Sequence, residues 1–396
     1  MRTFISKNVQ QLRPSGIRRY FDIAATMTDV ITLGIGEPDF ATPQHIARVG
    51  ADCVLTGQTA YTSNSGAIEL RRAISAQMRR LYGLEYGAAD EVLVTVGVSE
   101  ALYLALKAIC DPGDEVLVVE PCFVANAAAV EMAGGVPVPV PTFVEHGFQV
   151  TGAELKARIT PRTKAILISY PNNPTGAVLT PEHLAELADV AVRHDLLVIS
   201  DEIYERLVYG VEHINVASLP GMRERTIVLS GMSKSYAMTG WRIGYALAPA
   251  PIMDAMRKLH QYLIMSAPTM GQAAAVEALE HGEDAVEAMR CDYDRRRRLI
   301  VDGFNRIGLP CFEPRGAFYA FPDIRPTGLT DEEFCETLLR EERVAVVPGS
   351  AFGASGAGFI RASYTASCAN IERALERIGR FAVRHGLAAQ VDTLPV

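Results

Sequence analysis

Short, almost continuous runs of Val, Ile and Leu recur along the chain, separated by longer stretches with helical spacing of apolar residues. The clearest runs are Val92–Val96, Val116–Val119, Ala165–Ser169, Leu197–Ser200, Thr226–Ser230 and Ile243–Leu247. Uninterrupted apolar runs of this length mark strands buried on both faces. Between them, Ser99–Cys110 and Pro181–His194 carry a helical pattern. Strand, helix, strand in repetition predicts an α/β domain on a mostly parallel sheet flanked by helices. From about residue 285 the pattern changes. A long charged helix, the run Gly316-Ala-Phe-Tyr-Ala-Phe, a helix over Asp331–Glu341, a strand near Val344–Val347 and a final helix after Asn370 predict a smaller α+β domain. The first thirty residues read as an arm with a short helix. The expected division is an N-terminal arm and part of the small domain over 1–45, a large domain over 46–284, and a small domain over 285–396. A length of 396 residues, beyond what one hydrophobic core usually serves, agrees with two domains.

Composition narrows the function. The chain is 49% hydrophobic and 21% charged, the profile of an ordinary folded protein. Its net charge of −8 argues against a nucleic-acid binder, which needs a basic face. The longest basic run, Arg295–Arg298, has acidic neighbours and is expected to be a solvated helix face. The seven cysteines are scattered and contain no C-x-x-C pair, so neither a disulfide framework nor a metal site is implied and a reducing cytoplasm is expected. No stretch reads as a membrane span or an export signal.

The unusual residues follow the predicted strands. Val92–Val96 runs into Gly97-Val98-Ser99, and Ala165–Ser169 into Tyr170-Pro-Asn-Asn173-Pro-Thr-Gly176. Leu197–Ser200 runs into Asp201-Glu-Ile-Tyr204, and Thr226–Ser230 into Gly231-Met-Ser233-Lys234. Ligands of open α/β sheets bind just beyond the carboxyl ends of the strands. Singly, each motif has a plainer reading: Ser99 or Asp201 as a helix cap, Asn173-Pro-Thr-Gly176 as a turn, Lys234 as a loop lysine. Jointly they place an amide, a carboxylate, a phenol and a lysine at one sheet edge. A phosphate loop is excluded, because Lys234 follows Ser233 rather than Gly, and no G-x-G-x-x-G fingerprint follows the early strands.

Ser230-Gly-Met-Ser-Lys234-Ser-Tyr-Ala-Met-Thr-Gly-Trp-Arg242-Ile-Gly244 resembles the cofactor-lysine signature of class I/II aminotransferases, which are fold-type I enzymes dependent on pyridoxal 5'-phosphate (PLP). Seven further segments are similar to that family in the same order: Leu33-Gly-Ile-Gly36-Glu-Pro-Asp-Phe, Tyr61-Thr-Ser-Asn-Ser-Gly-Ala, Pro171-Asn-Asn173-Pro-Thr-Gly176, Asp201-Glu-Ile-Tyr204, Gly316-Ala-Phe-Tyr319, Val347-Pro-Gly-Ser-Ala-Phe-Gly353 and Arg361-Ala-Ser-Tyr. The resemblance implies that Lys234 holds PLP as a Schiff base and that Asp201 pairs with its protonated pyridine nitrogen. It implies that Tyr204 and Asn173 contact the ring 3-oxygen and that Phe123 stacks on the ring. Val98 and Ser99 amides, Arg242 and the Ser233 hydroxyl would hold the phosphate. Tyr61 would reach the phosphate in a neighbouring subunit, giving a homodimer with shared active sites. Arg361 would grip the substrate α-carboxylate, with Gly36 and Asn173 beside it. The residue types suit these tasks: a buried carboxylate keeps the pyridine protonated, a depressed lysine moves protons, and a guanidinium fork matches a carboxylate.

The resemblance does not fix the substrate. One aspartate-specific branch has a lysine where Ser99 stands, and another uses a partner arginine where the alignment places Tyr262. Aromatic, large neutral, aspartate and diaminopimelate-type donors therefore stay open, with 2-oxoglutarate the expected acceptor. Arg18 or Arg19 is the alternative clamp for a second carboxylate. Two other readings remain: a PLP-dependent β-lyase on the same scaffold, and a non-catalytic regulator of the same fold.

Overall fold

The computed structural model describes residues 27–387 together with isolated positions of the N-terminal segment (4–6, 9, 10, 12, 16 and 23). Most of the expected arm and short helix, including Arg18 and Arg19, lies outside the described residues. The described strands are, in chain order, β1 (Ile31–Thr32), β2 (Val92–Val96), β3 (Glu115–Glu120), β4 (Val136–Pro141), β5 (Thr163–Ser169), β6 (Leu197–Asp201), β7 (Thr226–Gly231), β8 (Ile243–Leu247), β9 (Tyr319–Ala320), β10 (Val344–Ala345), β11 (Val347–Pro348) and β12 (Ile360–Ser363).

Strands β2 to β8 form one sheet in the order β2-β8-β7-β6-β5-β3-β4. The expected mostly parallel sheet is present, with β8 antiparallel to both β2 and β7. All six expected runs are strands of this sheet. Alternate residues serve opposite faces, as the two-residue period of a strand requires. Val116, Val118, Leu167 and Ile199 pack with Leu104 and Ala105 of the helix Gly97–Ile109. Leu117, Ile166, Ile168 and Val198 pack with Leu184 and Leu187 of the helix Pro181–Arg193. Apolar positions on both strand faces produced the continuous runs in the sequence.

The edge strand β4 carries no such run: Pro137, Pro139 and Pro141 alternate with valines. Proline cannot donate to a further neighbour, so this pattern is tolerated at a sheet edge, and it hid the strand from a search for apolar runs. The helix expected over Ser99–Cys110 begins two residues earlier, at Gly97.

A separate core joins Ile31 and Leu33 to Phe304, Phe318, Ile360, Ile378 and Phe381. There β11, β12 and β9 make a three-stranded antiparallel sheet, and β1 pairs in parallel with β10. The long helix Glu283–Ile307 and the helix Cys368–Arg384 pack around them. The solvated face expected of Arg295–Arg298 holds only for Arg295 and Arg298. Arg296 and Arg297 are buried. Arg296 bonds Asp39 at 2.8 Å and Asp292 at 2.5 Å, and Arg297 bonds Asp294 at 2.8 Å and Glu313 at 3.0 Å. Four consecutive helical residues point in different directions, so one charged run serves both solvent and interior. Among the described residues, no helix is long and apolar enough to cross a membrane.

Candidate active site

The loops after β2, β3, β5, β6 and β7 enclose a cavity of about 520 Å³. Because β8 runs the opposite way, the residue preceding it, Arg242, arrives at the same sheet edge as the residues following its neighbours. Gly36, Val98, Ser99, Phe123, Asn173, Asp201, Tyr204, Ser233, Lys234, Arg242 and Arg361 all line this cavity.

The turn after β2 is held close to the start of β8. Gly97 has φ +71°, and a Cβ there would overlap the Arg242 guanidinium. A Cβ on Gly244 would meet the backbone of Gly97 and Val98. Only hydrogen at both positions lets the helix Gly97–Ile109 start against Arg242. The first N–H groups of a helix have no intrahelical acceptor, and those of Val98 and Ser99 belong to residues on the cavity wall. Ser99 does not cap this helix, whose N-cap position is Val96.

Lys234 is half-buried, and its Nζ donates to the Gly36 carbonyl at 2.7 Å. Burial pushes its ammonium down to about 8; Glu37 opposes this, and Arg361 and Arg242 reinforce it. It is not the exposed loop lysine of the plainer reading. The Asp201 carboxyl is pushed up to about 7 by burial, against the Ile203 N–H that it accepts at 3.2 Å. Glu202 adds to the rise and Lys234 opposes it. The Tyr204 and Tyr319 hydroxyls are 2.8 Å apart, and burial holds the Tyr204 phenol well above its ordinary range.

Arg361, on β12, is buried without a carboxylate partner among the described residues. Nη1 donates to Asn173 Oδ1 at 2.9 Å and Nη2 to the Gly34 carbonyl at 2.7 Å, while Nε has no partner among the described residues. The guanidinium lies 4.5 Å from the Tyr319 ring centroid and 4.8 Å from that of Phe352. Such a site fixes the orientation of a cation while leaving its charge unbalanced.

Tyr61 is 80% exposed and Tyr262 84% exposed, and neither lines this cavity. Several wall residues carried no role in the sequence reading. Tyr319 lies in a quoted motif, but its place under Arg361 depends on pairing β9 with β12. Leu102, Ala125, Ala128, Ala129 and Met132 form an apolar wall. Their helical spacing from 125 to 132 is legible, yet the pattern resembles any buried helix face.

Comparison with known proteins gives the family. The family model "Aminotransferase class I and II" matches residues 28–378. The chain is 51% identical to the putative aminotransferase YugH of Bacillus subtilis, with 96% of this chain and 99% of the relative covered. It is 48% identical to an aspartate aminotransferase of Pyrococcus abyssi, over 94% of this chain and 97% of that one. The solved aromatic aminotransferase of Pyrococcus horikoshii superposes with a TM-score of 0.88 at 46% identity, covering 93% of this chain and 99% of that one. The chain belongs to the class I and II aminotransferases, enzymes that transfer amino groups with the cofactor PLP.

Proposed function

We propose that Lys234 carries PLP covalently and that the enzyme moves the amino group of an L-amino acid with an aromatic or large neutral side chain to a 2-oxo acid such as 2-oxoglutarate. The observation that carries this reading is the meeting of Lys234, Asp201, Arg242 and Arg361 on one cavity.

The residues present fit the cofactor. A helix start beside an arginine suits a dianionic phosphate, and Val98, Ser99, Arg242 and the Ser233 hydroxyl offer that set. A buried carboxyl held at about 7 suits a protonated pyridine nitrogen, whose charge would return it to the carboxylate form. Asn173 and Tyr204 would stand by the ring 3-oxygen, and Phe123 on the ring face. Bound there, PLP supplies a sink for the electrons left when an amino acid loses its α-proton. Lys234 Nζ, depressed to about 8, is basic enough to take that proton and acidic enough to release it. Arg361 would bind the substrate α-carboxylate through its guanidinium fork, with the Asn173 amide and the backbone near Gly36 beside it.

Among the described residues of the cavity wall, Lys234, Arg242 and Arg361 are the cations. All three have tasks common to every amino acid, which leaves the side chain of the donor facing apolar surface. Arg18 and Arg19 lie outside the described residues. The reading includes a homodimer. Exposed Tyr61, Tyr262, Leu263, Ile264 and Met265 support it, Tyr61 being assigned to the partner's phosphate. It also includes a large domain over 46–284 and a small one over 285–396 joined by part of 1–45, supported by the core that unites Ile31 and Leu33 with Phe304 and Phe381. Seven unpaired cysteines support a cytoplasmic setting.

A panel of amino donors against 2-oxoglutarate tests this, read as kcat/KM. Phenylalanine, tyrosine and leucine are expected to match or exceed aspartate. Aspartate better by about 10²-fold would demand a further cation, and pyruvate with ammonia from a cysteine-type substrate would replace transamination with β-elimination.

A further inference from the structure

The start of the helix Gly97–Ile109 contains a conflict. Its amides at Val98 and Ser99 are the proposed phosphate donors, yet Glu100 follows directly in the same first turn. A carboxylate there is attracted to the free N–H groups of the helix start. A dianionic phosphate and this side chain would compete for the same donors.

In the structure Glu100 is turned away from them. Its Oε2 accepts from the Val96 N–H at 2.6 Å, on the strand side of the turn. Its Oε1 lies 2.8 Å from Nδ1 of His260, a separation at which Nδ1–H donates to the carboxylate. His260 is fully buried on the helix Ala250–Leu263, which packs against the helix Gly97–Ile109. Its other ring nitrogen, Nε2, has no partner among the described residues, so the contact with Glu100 is the hydrogen bond that orients the ring. From the strand, Thr95 Oγ1 donates to the Gly97 carbonyl at 3.0 Å and fixes the same turn. Val98 and Ser99 line the cavity, whereas Glu100 and His260 do not.

We propose that Glu100 and His260 are positioning residues for the cofactor phosphate. Glu100 occupies the Val96 N–H, His260 holds the carboxyl there, and the amides of Val98 and Ser99 are left to the phosphate. Without His260 the carboxyl is free to rotate toward those amides and oppose a dianion. This rests on the PLP reading above, and it predicts an effect confined to the phosphate end of the cofactor.

The test is equilibrium binding of PLP and of pyridoxal, which lacks the phosphate, to cofactor-stripped protein. His260→Ala is expected to weaken PLP about tenfold, the scale of one charge at a partly buried helix start, with pyridoxal unchanged. Adding Glu100→Gln to His260→Ala is expected to restore most of the loss, because the amide carries no charge to compete. His260→Asn, which keeps a donor near the Nδ1 position, is expected to bind PLP as the wild type does and covers the case in which His260→Ala fails to fold. Equal weakening of PLP and pyridoxal overturns the proposal, as does a fall in Tm with both affinities kept. Failure of the wild-type protein to bind PLP overturns the cofactor reading itself, and that control separates the two failures.

Discussion

Two buried arginines show how this molecule separates scaffold from site. Arg296, on the helix Glu283–Ile307, meets two carboxylates and the carbonyls of Thr365 and Ala366. Arg361, equally buried, meets an amide oxygen, one carbonyl and two ring faces, but no carboxylate among the described residues. The same contrast recurs between adjacent acids. Glu202 accepts from Ser200, Asn215, His213 and the Val216 N–H. Among the described residues, the Asp201 carboxyl accepts only from the Ile203 N–H. A buried charge is costly unless it is paired. Arg296 and Glu202 have their partners within the chain, and their work is structural. Lys234, Asp201 and Arg361 share one cavity with their charges incompletely met, and under the proposed function a substrate and cofactor of matching charge would complete them.

Substitutions in the two groups are therefore expected to fail in different ways. Lys234→Ala should have the largest effect, lowering kcat by at least about 10⁴-fold, the upper scale of a positioned proton-transfer group. Its Tm should stay near the wild-type value, and a comparable Tm loss would place Lys234 among the structural residues. Arg361→Ala should lower kcat/KM by about 10²–10³-fold for every donor, as loss of a bidentate carboxylate contact does. Arg296→Ala should instead cost about 1–3 kcal/mol of stability, because Asp39, partly exposed, loses its cation and Asp292 keeps only Arg295, while the folded fraction keeps its kcat/KM. Steady-state kinetics paired with denaturant melts would show whether the two arginines differ in this way.

Asp201→Asn should retain PLP through the phosphate contacts yet lose about 10²-fold in kcat. Glu202→Gln should lose stability before activity. A smaller effect concerns pH. With its folded value raised to about 7 from an ordinary 3.8, Asp201 binds more protons in the folded chain than in the unfolded one between those limits. Its contribution makes the cofactor-free protein less stable as pH rises from about 4 to 7. Between pH 5 and 8 the wild-type Tm should fall by roughly 2–4 °C more than that of Asp201→Asn. Parallel profiles would remove Asp201 from the group with incomplete partners. The smallest effect is expected on mixing Tyr61→Phe with Lys234→Ala. Some activity should return, since one site of a mixed dimer would receive both intact residues; no recovery would make Tyr61 a local surface residue.

Much of this was legible in the sequence, for a physical reason. Strands buried on both faces must be apolar throughout, so β2, β3 and β5 to β8 declared themselves, and the residues after them marked the cavity. Strand β4 stayed hidden because an edge position tolerates its prolines. Arg296 and Arg297 were misread because charge in a helix says nothing about which way it points. Tyr319 and the wall from Ala125 to Met132 became site residues only through tertiary packing, which no local pattern encodes. Glu100 was invisible for the same reason, since its partner His260 is distant in sequence.

The proposed function stands or falls on whether Lys234, just past the end of β7, carries the cofactor. Borohydride reduction of the PLP-loaded protein, followed by peptide mapping, tests it directly. A single pyridoxyl label is expected, on Lys234, with its loss in Lys234→Ala. A label on any other lysine, or a protein that binds PLP without forming a reducible bond, would contradict it.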